Sequence, residues 1–183
     1  MRFILTCLVL LIAAPLAADD ELTSPYRGQT FTEIRGLTDK EISELRQGRG
    51  MGLARAAELN GYPGPRHVLD AVGAGRLQLT PEQIQTVQRL FDEMSSEAQR
   101  LGNMVLRKEW ALEQAFREGA ISEADLHASV GRIAAFQGDL RVVHLRTHLE
   151  TRSVLSEQQI QSYNELRGYS ADSPKKQEHE HRH

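Results

Sequence analysis

The side chains best suited to chemistry in this sequence are two histidines four residues apart, in the run His144-Leu145-Arg146-Thr147-His148. On an α-helix, residues i and i+4 lie on one face, so both imidazoles can reach a single metal ion. The residue after His144 is leucine rather than the glutamate that serves as general base on a zinc-protease helix, which disfavours hydrolytic zinc. Counting back across a helical hairpin from its turn near Ala120 predicts that the pair faces residues 92–97, which brings Met94 and Glu97, with Glu93, into range as further ligands. His67, on the preceding helix, can approach the same level. Three imidazoles suit copper or zinc, and a thioether from Met94 favours copper(I). A plainer reading stands beside this one: His144 and His148 as buried hydrogen-bonding histidines or a polar stripe in a dimer seam, and His67 as a turn or capping residue. The ending Glu178-His179-Glu180-His181-Arg182-His183 alternates histidine with charge, so His179, His181 and His183 form either a weak metal-collecting tail or a solvated end.

Other chemistry is harder to find. No serine–histidine–acid or cysteine–histidine set is legible, and the expectation is a protein that is not an enzyme. Gly48-Arg49-Gly50-Met51-Gly52 is rich enough in glycine to cradle a phosphate, but no strand precedes it and no Gly-Lys-Ser/Thr follows, so it reads as a tight turn. The single cysteine, Cys7, excludes a disulfide framework, a four-thiolate zinc site and an iron–sulfur centre. A net charge of −3 over 183 residues excludes a strongly basic nucleic-acid binder, and 40% hydrophobic residues are enough for one ordinary domain.

The elements that must position these side chains are helical. Residues 1–18 have the layout of a secretory signal peptide: Arg2, an apolar run from Phe3 to Ile12, then small residues to Ala18 before Asp19-Asp20-Glu21. Cleavage near Ala18 implies a periplasmic protein with no membrane insertion afterwards. The mature chain then has no cysteine, as suits an oxidising compartment. No stretch alternates like a strand. Residues 19–64 read as an N-terminal arm with short helices, the first opened by the capping box Thr38-Asp39-Lys40-Glu41. Pro65 opens a helix through Val72. Thr80, Pro81 and Gln83 open a long one, ~55 Å if continuous to Glu118-Gly119, with Gly102-Asn103 as a weak point. Ser122 caps its return partner, whose expected seam is Leu126, Val130, Ile133, Gln137, Leu140, His144 and Thr147. A second apolar stripe on that helix (Ala134, Val142, Leu145, Leu149) points the other way and needs a cover from the N-terminal helices or another subunit. Trp110 and Phe116 near the turn read as core or dimer contacts, and residues 169–183 as a disordered histidine-containing tail. The fold class is all-α: a long antiparallel helical hairpin with short flanking helices, in a dimer.

Leu79-Thr80-Pro81-Glu82-Gln83 before the first long helix and Leu155-Ser156-Glu157-Gln158-Gln159 after the second resemble the paired Leu-Thr-x-x-Gln motifs of the Spy/CpxP superfamily. The resemblance covers roughly residues 65–168. It implies a periplasmic homodimer whose function is heavy-metal sensing or resistance, with an envelope sensor as partner, or an ATP-independent holdase with unfolded-protein clients. A net charge of −4 after leader removal does not suit the basic concave face of a Spy-like chaperone. Read from the residues alone, both motifs are helix-capping devices. The superfamily's metal ligands align near Asp70 and residues 147–151, one turn away from the histidines here, so none of them transfers directly.

Overall fold

The computed structural model describes residues 23–30 and 32–169. The leader at 1–18 and the tail histidines His179, His181 and His183 lie outside the described residues. Residues 23–30 belong to a unit of their own, with a 3-10 turn at Arg27–Gln29 in which Gln29 N–H donates to the Tyr26 carbonyl at 2.8 Å. The α-helices all belong to the unit that begins at Thr32: α1 Asp39–Arg46, α2 Arg55–Glu58, α3 Pro65–Gly73, α4 Pro81–Arg117, α5 Glu123–Val154 and α6 Glu157–Arg167. No strand occurs among the described residues, so the protein is all-α, and no helix among them is long and apolar enough to cross a membrane.

Helix starts follow local chemistry. Thr38 accepts from Glu41 N–H while Glu41 accepts from Thr38 N–H, closing the box at α1. Thr80 and Gln83 do the same at α4, and Ser156 and Gln159 at α6. Each box satisfies backbone N–H groups that a helix start leaves free. Ser122 accepts from Asp125 N–H at 3.1 Å to begin α5. Between these caps α4 is continuous and packs along α5.

The two pentapeptides do more than cap. The side-chain N–H groups of Gln83 donate to the Val154 carbonyl at 2.8 Å, and those of Gln159 to the Gln78 carbonyl at 2.9 Å. The two amides also bond each other at 3.0 Å in both directions. Each motif therefore caps its own helix with an oxygen and grips the other motif with a nitrogen. Beneath this clasp lies one apolar cluster, built on Val68, Val87, Ile160 and Tyr163. A second, farther along α4 and α5, contains Leu45, Leu101, Val105, Leu140 and Val143.

Gly102, expected as a weak point, is a contact. A Cβ placed there would collide with the Leu45 carbonyl oxygen, so only a bare Cα lets α1 lie against α4. The expected seam of α5 needs correction toward its start. Ile133, Leu140, His144 and Thr147 are buried, but Val130 and Gln137 are exposed, and Val143, His148 and Thr151 take part instead. Near the turn, Trp110 and Phe116 are about half exposed, at 49% and 56%. The segment read as an N-terminal arm is integral to the helical unit from Thr32 onward, because α1 packs on α4 and α2 on α5.

Candidate functional site

Between the two apolar clusters, α5 presents His144 and His148 to a cleft of about 590 Å3 that His67 and Met94 also line. Four of the six residues singled out from the sequence around this site therefore share one cavity, and Glu93 and Glu97 are not among them. Glu97 forms a two-pronged pair with Arg100, at 2.6 and 2.7 Å, and lines a separate groove with Glu93 and Glu150. Glu93 is itself paired to Arg89 at 2.9 Å.

His148 is held in one orientation. Its Nδ1 lies 2.7 Å from the Tyr62 carbonyl oxygen, which can only accept, so Nδ1 carries the proton and Nε2 of the neutral ring is bare. The Tyr62 carbonyl is fixed in turn by Arg152, which donates to the neighbouring Gly61 carbonyl at 2.7 Å and stacks over the Tyr62 ring at 5.2 Å. On the other side, a Cβ at Gly64 would stand 2.9 Å from His148 Cε1 and 3.0 Å from Nε2. The glycine at the entrance to α3 thus leaves room for the imidazole.

Glu58, at the end of α2, anchors this corner and was not legible in the sequence. Its side chain is only 12% exposed and lies 3.7 Å from His148 Nδ1. It accepts from Tyr163 Oη at 2.6 Å, Arg167 Nε at 3.2 Å, Tyr169 Oη at 3.3 Å and Gly64 N–H at 3.2 Å. A buried carboxylate with this many donors is satisfied as an anion. Burial, and then the contact with Glu58, push the Tyr163 hydroxyl pKa well above its ordinary value. No periodicity relates Glu58 to His148, Tyr163 or Arg167, because they meet only through the packing of α2, α5 and α6.

His144 is 3% exposed and its Nε2 has no hydrogen-bond partner among the described residues. Two other buried side-chain atoms share that condition, Thr151 Oγ1 and Asn164 Oδ1, but neither lines the histidine cleft. Burial, and then the neighbouring His148, lower the His144 pKa, so the ring stays neutral below the usual histidine range. His67 is displaced in the same direction, first by burial and then by Arg167, with Glu58 and Asp70 opposing. Its side chain is 47% exposed and its Nδ1 is 4.0 Å from Asp70. The guanidinium groups at the rim are engaged elsewhere: Arg66 with Asp70 at 3.1 Å, Arg46 with Glu33 at 3.6 Å, and Arg49 with the Gln47 side chain at 3.1 Å.

Two imidazoles, each with a nitrogen that no protein group engages, and a thioether on the facing helix, are a soft-to-borderline donor set. Among the described residues, no group of three or more His, Cys, Asp or Glu side chains is gathered to hold a metal ion. His67 therefore shares the cleft without completing a cluster. No family model, no curated protein and no solved structure matches this chain.

Proposed function

We propose that this chain is a periplasmic metal-binding stress protein of the heavy-metal sensor or resistance type, which binds copper or zinc through histidines on an antiparallel α4–α5 hairpin and works as a homodimer. The observation that carries the reading is the buried, unpartnered Nε2 of His144 beside a His148 whose tautomer is set by a backbone carbonyl. A ligating histidine ordinarily uses its second nitrogen in this way, to fix ring orientation and raise basicity. Met94 supplies a third donor from α4, which favours copper(I). For zinc, rotation of the half-exposed His67 or a water molecule completes the sphere. The two capped pentapeptides, with their likeness to the Spy/CpxP motifs, support the same class, as does the leader-like start of the sequence.

A bound ion stabilises the folded state by about 2.7 kcal/mol when present at 100 times its dissociation constant. Thermal unfolding of the purified protein with copper(I) or zinc should therefore shift upward, and the shift should disappear in His144→Ala/His148→Ala. No shift with either metal would defeat the reading.

The half-exposed Trp110, Phe116 and Val130 near the α4–α5 turn favour a second reading, an ATP-independent holdase of the Spy/CpxP type. On that reading the protein suppresses aggregation of an unfolded client without metal, and Trp110→Ser/Phe116→Ser weakens the effect.

A further inference from the structure

The face of α5 opposite the histidines carries a regular pattern. Ala128, Ala135, Val142 and Leu149 recur every seven residues, and Ala124, Gly131, Gly138 and Leu145 recur between them. Alternating three- and four-residue spacing of this kind is the seam of a two-helix coiled coil. Val142 and Leu149 are exposed at 55% and 56%, and a Cβ at Gly131 or Gly138 would meet nothing within 4 Å. Along one edge of the stripe run Asp125, Arg132, Asp139 and Arg146, again every seven residues and alternating in charge. Arg132, Asp139 and Arg146 form no ion pair within 4 Å among the described residues. Asp139 and Arg146 lie on the side of the stripe toward the Arg100 and Glu97 charges of α4, with which they interact at longer range.

We propose that this stripe is the homodimer interface, with α5 of a second copy laid antiparallel on it about a two-fold axis between Ala135 and Gly138. The inference rests on the dimer reading above and adds the surface, the direction and the register. Size complementarity fixes the direction. The stripe is small at its start and large at its end, so in an antiparallel pair Leu149 lies across from the second copy's Ala124, Leu145 from Ala128, and Val142 from Gly131. Gly138 and Ala135 meet at the centre, where the backbones come closest. Every layer then combines a small residue with one no larger than leucine, along a seam of ~38 Å. A parallel pair would stack leucine on leucine at one end, face alanine with alanine at the other and glycine with glycine between, and set Arg141 against Arg146.

Charge fixes the register. With those layers, Asp125 falls beside Arg146 of the second copy and Arg132 beside Asp139, each pair occurring twice by symmetry. A slip of one heptad in one direction sets Arg132 against Arg146, and in the other Asp125 against Asp139. Alternating edge charge therefore admits the register that the side-chain sizes select and penalises its neighbours.

Sedimentation equilibrium of the purified protein and its variants tests this, with helicity by circular dichroism as the control for folding. Val142→Glu should remove the dimer. Asp139→Arg and Arg132→Asp should each weaken it about tenfold, since each sets two like-charge contacts in the seam, and combining them should restore it to within about threefold of the parent. A parent that is monomeric throughout, a dimer indifferent to Val142→Glu, or a charge swap that fails to restore would overturn the assignment. Zinc titration of the monomeric Val142→Glu variant separates this from the metal reading, because the histidine cleft lies on the other face of α5. Retained binding there leaves the metal reading standing if the dimer fails, and lost binding in a parent whose charge swap still restores leaves the dimer standing alone.

Discussion

The base of the α4–α5 pair and the cleft midway along it both bury polar side chains, and they treat them in opposite ways. At the base, Gln83 and Gln159 each bond their own helix start, the carbonyl of the residue just before the other motif and one another. In the cleft, His148 is fixed through one nitrogen with the other left bare, and His144 Nε2 has no partner among the described residues. A closed network contributes stability and specifies one packing, while an orphaned buried donor or acceptor costs free energy unless something binds it. The base is thus closed on itself, and the cleft leaves polar atoms unengaged at the expense of stability.

Substitutions should separate the two. The largest effect belongs to the scaffold that both share. Gly102→Ala drives a methyl group into the Leu45 carbonyl, and the overpacking should cost ~3 kcal/mol or more by chemical denaturation. In an ordinary helix the same change would stabilise by ~1 kcal/mol, so the sign alone decides whether α1 lies as described. At the base, Gln159→Ala should cost ~2 kcal/mol, because it removes a cap and strands the Gln83 amide, yet leave metal affinity unchanged. In the cleft, Gly64→Ala should do the converse. Displacing the His148 ring should lower metal affinity by ~10–100-fold, as losses of ligand orientation do, with a smaller change in stability.

The extent to which this was legible from the sequence follows the range of the interactions. Capping boxes at Thr38, Thr80 and Ser156 act over three residues, and each helix start fell where they indicated. The grip between Gln83 and Gln159 spans the whole of α4 and α5, and nothing in either pentapeptide announces it. At the site, the i,i+4 spacing brought out His144 and His148, and counting across the turn brought out Met94. The same count included Glu97, which sits one turn beyond Met94 and pairs with Arg100 along its own helix instead. Glu58 and the Tyr62 carbonyl escaped because they come from α2 and the turn after it, elements too short to carry a periodic signal. Val130 and Gln137 fitted the seam by spacing, but the α5 segment near the turn has only α4 to cover it, so both are exposed.

The smaller predictions concern protons and stability without ligand. Because burial depresses the folded-state pKa of His144 below its unfolded value of ~6.5, the unfolded chain binds the extra proton first. Stability should therefore be full above about pH 6.5 and decline as pH falls through that value toward the lower folded-state pKa. His144→Leu should flatten that decline in a denaturation series from pH 8 to 5. At neutral pH the same variant should be neutral to slightly stabilising, by up to ~1 kcal/mol, since it replaces an unpartnered polar ring with an apolar side chain. A clear loss of stability would mean that the His144 ring is engaged in the resting protein.

The most direct test of the cleft as a metal site is competition for copper(I) against a chelator of known affinity, with residues 170–183 removed so that the tail histidines cannot contribute. The truncated parent should bind one ion per chain tightly at neutral pH, and His144→Ala/His148→Ala should abolish that binding while its circular dichroism stays helical. Equal affinity in parent and double variant would contradict the assignment and leave the histidine pair as a feature of packing.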